Sequence, residues 1–243
     1  MDDGPAEWDK SIKMLHRAVE DGITAITATP HVRPGLYDSP KETVLALVEE
    51  LKKRAHFLPI EIYPGSELTI SQETLTGIKK KKYCSINLGR YVLVELPGHF
   101  DPEKIYDFIF AITSRGMVPV IAHPERNGKV ASDVDVLYEM VRLGALTQIT
   151  AASLTGLFGN ATRRFSCELI SRKLAHVIAS DAHDHGHRAP VLSAALAKVT
   201  KLAGSRAALA MVRETPEKIV TDEAIDADEP LYVKKRNFFF FRL

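Results

Sequence analysis

Several things are scarce in this chain, and each shortage narrows what the chain can be. Cys84 and Cys167 are its two cysteines in 243 residues, too few for the disulfide framework of a small secreted domain. Charge imbalance is missing as well. Lys and Arg total 32 against 31 Asp and Glu, a formal charge of +1, so no overall field recruits nucleic acid or an anionic membrane. An anionic substrate must therefore be held by local groups. No apolar run approaches the roughly eighteen residues that cross a bilayer, and no basic segment followed by an apolar one opens the chain. These readings expect a cytoplasmic protein with no stable membrane insertion and no nucleic-acid partner. What remains, 45% hydrophobic and 26% charged, is ordinary for a globular protein and fits one large α/β domain or two small ones.

The periodicity of the chain alternates. Residues 5–21 place Trp8, Ile12, Leu15, Ala18 and Val19 at helical spacing, with Pro5 in the first turn and Asp2 and Asp3 as candidate caps. "GITAITATPH" follows, a β-branched apolar run ending on the polar His31. The same pattern recurs: "PIEIYPGSE" runs into Glu67, "RYVLVELPG" into Glu95, "MVPVIAHPER" into His123, "ALTQITAASL" into a polar stop, and "AHVIASDAH" into Asp181 and His183. Helical stretches at 40–56, 102–115, 132–143, 160–174 and 189–203 separate most of these six strands. Alternating β and α with strands apolar on both faces implies a parallel sheet covered by helices. Closed on itself, that sheet is a barrel, and side chains at the C-terminal strand ends converge in one mouth.

Any one polar residue at a strand end is accounted for by a helix cap or a loop hydrogen bond. Taken together they are not. His31, Glu67, Glu95, His123, Asp181 and His183 are all metal-ligand types, and carboxylates converging in one mouth repel unless cations neutralise them. Imidazole and carboxylate without thiolate suit Mn, Fe or Zn rather than a structural zinc staple. The ligands are too many for one ion, and a cluster of two or three can activate water and clamp phosphate oxygens, which points to phosphoester hydrolysis. Arg126 and Arg188 follow two of the strand ends, and a guanidinium fork matches two phosphate oxygens.

Other tempting features get structural readings. His185 and His187 lie beyond the strand end and are not expected as ligands, and His16, His56, His99 and His176 are read as structural. Cys84 and Arg90 have the spacing of a cysteine-dependent phosphate loop, but a lysine run precedes them and a strand follows, the reverse of the strand-to-helix context such a loop needs. The run at 79–82 is read as a solvated face. The ending, "YVKKRNFFFFRL", falls outside the alternating pattern, so a domain over 1–222 and a tail over 223–243 are expected. That tail is read as a packing or unstructured segment, or as one touching a membrane or another subunit.

"TPH", "GSE", "VELP", "AHPERN", "IASDAH" with "RAP", and "PEKIV", in this order, resemble the polymerase-and-histidinol-phosphatase (PHP) superfamily. More closely, they are similar to its CpsB-type manganese-dependent protein tyrosine phosphatases of bacterial capsule and exopolysaccharide clusters. The resemblance covers residues 2 to about 222. It implies a distorted (β/α)7 TIM-like barrel with an Mn2+ cluster of two or three ions, acting on phosphotyrosine in a tyrosine kinase that controls polysaccharide chain length. It further implies that Glu67 bridges two metals, one shared with Asp181 and the other with Glu95 and His123. Asp3, His31 and His183 would hold the third, and Arg126 and Arg188 would grip the phosphate.

The family opens with a strand ending in His-x-His just before the "DDGP" that stands here at Asp2–Pro5. This chain is therefore expected to begin after that strand, through a start site lying upstream or through genuine trimming. Two alternatives to the tyrosine phosphatase follow: a relative acting on a small metabolite such as histidinol phosphate, and a non-catalytic regulatory relative. Assembly into a homo-oligomer is left open.

Overall fold

The computed structural model describes residues 2–232. Eight parallel strands run through it: β1 (Ala25–Ala28), β2 (His31–Val32), β3 (Glu61–Pro64), β4 (Glu67–Thr69), β5 (Tyr91–Glu95), β6 (Val118–Ala122), β7 (Leu146–Thr150) and β8 (Val177–Ala179). The helices are α1 (Trp8–Glu20), α2 (Lys41–Arg54), α3 (Gln72–Lys79), α4 (Pro102–Thr113), α5 (Gly128–Ser132), α6 (Asp135–Arg142), α7 (Ala151–Thr155), α8 (Gly159–Ser171), α9 (Ser193–Ala203), α10 (Ser205–Leu209) and α11 (Thr215–Val220). None of the described helices is long and apolar enough to cross a membrane.

All six strands read from the sequence are present, but the first two are each broken in half. β1 and β3 form a two-stranded sheet, while β2, β4, β5, β6, β7 and β8 form a six-stranded sheet in that order. Pro30 and Pro64 mark the breaks, because proline has no N–H to continue a ladder. Gly65 fits closely there: a Cβ would sit 3.0 Å from the Thr27 and Thr29 methyl groups. Pairing resumes at once, with Glu67 N–H donating to Pro30 O at 3.1 Å, which puts His31 and Glu67 side by side in register.

Successive residues of β5 face different sides. Val92 and Val94 join the outer core with Ile121, Ile149, Ile109, Ile112, Leu137 and Leu169, while Tyr91 and Leu93 join Val120, Leu146 and Val177 on the other side. A strand buried on both faces is the signature of a parallel sheet wrapped by helices. Leu15 of α1 and Val44 and Val48 of α2 cover Ile62 of β3 in a third cluster.

β2 and β8 are the two edges of the main sheet, yet the rings of His31, on β2, and His183, just after β8, lie 5.8 Å apart. The sheet therefore curls until its edges approach at their C-terminal ends, as in a barrel. Residues at the N-terminus fill the gap. Asp2 accepts a hydrogen bond from the His31 N–H at 2.8 Å and another from the Gly4 N–H at 3.1 Å.

At the opposite end, residues 223–232 run across the strand starts. Tyr91 donates its hydroxyl to Glu223 O at 2.5 Å, Leu231 N–H donates to Arg172 O at 2.8 Å, and Tyr232 meets Tyr138 edge to face. The beginning of the expected tail thus packs on the barrel floor; positions 233–243 lie outside the described residues. Beneath this strap His176 is half-buried, its Nδ1 accepting from the Thr147 N–H at 3.1 Å while the enclosed Nε2 has no partner among the described residues. Burial pulls its pKa from 6.5 down to about 4. The unfolded chain then takes up this proton more readily than the folded one between pH 6.5 and 4. Stability from this group is complete above pH 6.5 and falls with pH through that window, by up to about 3 kcal/mol. Urea unfolding at pH 7 and pH 4.5 should show a smaller loss for His176→Gln than for the unsubstituted protein; equal losses would contradict this account.

Candidate metal centre

The candidate ligands sit where the apolar runs stop or, for His31 and Glu67, where the chain steps from the two-stranded to the six-stranded sheet. His31 lies in β2, Glu67 opens β4, Glu95 closes β5, and His123 follows β6, with its N–H donating to Gln148 O at 2.8 Å. Asp181 and His183 follow β8. His123 and Asp181 have φ of 35° and 51°, left-handed values that non-glycine residues seldom adopt and that cost on the order of 1 kcal/mol or more unless their surroundings enforce them. Here they do. The turn Pro124–Arg126 is anchored by Glu125, which accepts from the Thr150 N–H at 3.0 Å and the Ser153 hydroxyl at 2.6 Å. Its burial raises its pKa despite those hydrogen bonds. Beyond β8, Asp184 accepts from the Gly186 N–H at 2.6 Å and the Arg188 N–H at 3.1 Å, folding Arg188 back toward the mouth.

Seven side chains meet there. Three sets bring their ligand atoms within 4.8 Å of one another: Glu67, His123 and Asp181; His31, Glu67 and Glu95; and Asp3, His31 and His183. Glu67, 4% exposed, belongs to two sets, as does His31. His123 Nε2 lies 2.9 Å from Glu67 Oε1 and 3.7 Å from Glu95 Oε1, while His31 Nδ1 lies 4.0 Å from Glu67 Oε1. Asp3 stands 3.6 Å from both His31 and His183. Burial opposes charging of His123, but the hydrogen bond and charge of Glu67 outweigh it and raise its pKa. The sets differ in two respects from the implied ligand scheme: His123 groups with Glu67 and Asp181, and His31 with Glu67 and Glu95. Since His123 also reaches Glu95, either sharing is open to it.

Both arginines stand at the mouth, where Arg126 Nη2 and Arg188 Nη2 donate to Asp181 Oδ2, at 2.8 and 2.6 Å. The contact is electrostatic, two guanidiniums sharing one buried carboxylate oxygen. The mouth still holds four carboxylates, Asp3, Glu67, Glu95 and Asp181, against these two guanidiniums. That imbalance, with a carboxylate buried between imidazoles and no thiolate in the set, fits divalent cations of the Mn, Fe or Zn type. The residues present therefore suit a metal cluster.

Two aromatic rings flank the mouth that strand-end reasoning did not find. The Arg126 guanidinium lies 4.9 Å from the Phe158 ring centroid, and Tyr37 stacks on His31 at 6.1 Å. Neither position carries a sequence signal, because each ring reaches the site through tertiary packing. A cation–π contact is worth about 0.5–1 kcal/mol, so Phe158→Leu should lower kcat/KM on an aryl phosphate about two- to fivefold at unchanged melting temperature, with Phe158→Trp restoring it. An unaffected Phe158→Leu would show that the ring does not steer Arg126.

The dismissed features stay apart from the site. His185 and His187 are exposed and, with His16, His56, His99 and His176, join none of the candidate sets among the described residues. Cys84 is buried, which pushes its thiol pKa up, and Arg90, at the barrel floor, pairs with Asp222.

A family model, capsular polysaccharide synthesis CpsB/CapC, matches residues 1–221. CapC of Staphylococcus aureus is 35% identical over 242 residues, covering 99% of this chain and 94% of that protein. The tyrosine-protein phosphatase YwqE of Bacillus subtilis is also 35% identical, over 243 residues, covering 99% of this chain and 95% of YwqE. CpsB of Streptococcus pneumoniae, another tyrosine-protein phosphatase, is 29% identical over 234 residues, with 93% and 96% covered. A chain from the crystal structures of YwqE and CpsB, described as metal-dependent tyrosine phosphatases, superposes with a TM-score of 0.91 at 34% identity, covering 97% of this chain and 96% of that one.

Proposed function

The chain belongs to the CpsB/CapC family of capsular polysaccharide synthesis proteins, and from that membership we propose that it is a metal-dependent protein tyrosine phosphatase. The observation that carries the reading is the buried Glu67 carboxylate set between His123 and His31, with Glu95 and Asp181 beside it. Asp3, His31, Glu67, Glu95, His123, Asp181 and His183 would hold two or three divalent ions, Mn2+ first among the candidates. Such ions, when bound, supply an activated water and neutralise phosphate oxygens.

The chain's own groups do the rest. His123 and His31 offer imidazole nitrogens on either side of the Glu67 carboxylate. Asp181 holds the two guanidiniums beside the cluster, and Arg126 and Arg188 would bind the equatorial phosphate oxygens and stabilise the charge that grows on them. Phenolate is a good enough leaving group that no strong general acid is required. The substrate would be a phosphotyrosine protein, a polysaccharide chain-length tyrosine kinase in the cytoplasm, and residues 1–222 would form the catalytic domain. Homo-oligomerisation is compatible with this reading.

The test compares the Mn2+-loaded protein on a phosphotyrosine peptide and on small phosphate esters such as histidinol phosphate. Higher kcat/KM on the peptide supports the reading. Preference for the small ester overturns the substrate, and bound metal without turnover on either overturns the activity.

A further inference from the structure

A second surface begins where the mouth ends. Phe158, whose ring faces Arg126, immediately precedes α8, and the outer side of that helix forms one wall of a cleft of about 340 Å³. The cleft is lined by Leu154, Arg163, Arg164, Cys167, Lys198, Val199 and Leu202, with no carboxylate among them. Its floor is apolar and its rim is cationic. Lys198 Nζ donates to the Leu154 carbonyl at 2.6 Å, so its charge is anchored at the cleft without being neutralised. Neither Arg163 nor Arg164 has a carboxylate within salt-bridge distance among the described residues. Arg17, Arg54 and Arg142, by contrast, are neutralised by Glu20, Glu50 and Glu139 on their own helices.

The cleft lies next to the turn that presents Phe158 to Arg126 at the mouth. A Cβ at Gly156 would lie 3.7 Å from Arg163 Cδ, so the Arg163 stem folds back toward the turn that presents Phe158. From Phe158 to Cys167 the helix rises about 14 Å, a length that four or five residues of extended peptide would span.

We propose that this cleft is a docking site for the acidic residues that flank the phosphotyrosine in the protein substrate. The proposal rests on the phosphatase reading and deepens it by naming the kind of sequence around the reacting tyrosine. Three unneutralised cations around an apolar floor fit carboxylates interleaved with an apolar side chain. The chain's own ending is excluded as the occupant by charge, since Lys234, Lys235, Arg236 and Arg242 repeat the sign of the rim.

The experiment uses the full chain with Mn2+ and three substrates: a phosphotyrosine peptide flanked by Asp and Glu, the same peptide with Ser in their place, and p-nitrophenyl phosphate. The unsubstituted protein should show a lower KM for the acidic peptide than for the neutral one, an advantage that fades in 0.5 M salt. Arg163→Glu with Arg164→Glu should raise KM for the acidic peptide about five- to tenfold, leaving its kcat and the turnover of p-nitrophenyl phosphate unchanged. Arg163→Ala with Arg164→Ala should give a smaller effect in the same direction. Equal KM for the two peptides, or the same KM change for both, overturns the docking site while leaving the phosphatase reading intact. A change in sedimentation without any change in peptide KM overturns it in favour of a contact between copies of this chain. No hydrolysis of any of the three would instead defeat the phosphatase reading, and the docking site with it.

Discussion

Glu67→Gln lowers turnover of a phosphotyrosine peptide by at least about a hundredfold, because substitutions merely behind a metal ligand already cost ten- to a hundredfold and Glu67 stands in two of the three candidate sets. The glutamine keeps the volume of a side chain that is 4% exposed, so no cavity forms and the fold is retained. It loses the negative charge that sits 2.9 Å from His123 and 4.0 Å from His31, and a neutral amide is a poor ligand for a hard divalent cation. A second readout follows from linkage. A ligand that binds only the folded state raises its stability by about 2.7 kcal/mol at a hundred times its dissociation constant. Saturating Mn2+ should therefore raise the melting temperature of the unsubstituted protein and raise that of Glu67→Gln much less. Activity retained together with the full Mn2+-dependent shift would show that Glu67 is not a ligand.

Arg188→Ala gives the other large effect, of a different kind. Arg188 shares Asp181 Oδ2 with Arg126, and losing it leaves that carboxylate still paired, so the fold and the cluster persist. A donor aimed at transition-state charge is worth about 2.7–4 kcal/mol, which corresponds to roughly a hundred- to a thousandfold in kcat. Metal content and the Mn2+-dependent melting shift should stay at the level of the unsubstituted protein while kcat falls. Arg188→Lys should recover little, since an ammonium cannot reproduce the planar fork. A loss of bound metal in step with kcat would instead make Arg188 a support of the Asp181 geometry rather than a phosphate ligand.

Much of the architecture was readable because the chain alternates its periods so regularly. Each β-branched run gave parallel strands, and in every run but the one that forms β7 the polar residue at its end reached the mouth. The breaks at Pro30 and Pro64–Gly65 were less legible: a proline near a strand end also fits an unbroken strand, and only the close approach of Gly65 to Thr27 and Thr29 shows the chain stepping between sheets. α7 was hidden inside "ALTQITAASL", where the apolar run continues smoothly while the backbone turns helical at Ala151. α3 was overlooked although Ser71 and Thr74 form a capping box, because eight residues give too short a window for the helical period.

The site divides along the same line. Ligands on successive strand ends share a position in the repeat, so their type and place could be read together. Asp2, Glu125 and Asp184 act through backbone N–H groups, and Phe158 and Tyr37 act through packing between distant segments; none of these leaves a spacing to recognise. The engagement of both arginines by Asp181 is a balance of charge within the assembled mouth, which no linear pattern records.

The most direct measurement of the central claim is anomalous diffraction from crystals grown with Mn2+. The account predicts at least two peaks in the barrel mouth, each about 2 Å from donor atoms, one contacting Glu67 with His123 or Asp181 and another contacting His31. Peaks confined to the exposed His185 and His187 loop, with none beside Glu67, would contradict it.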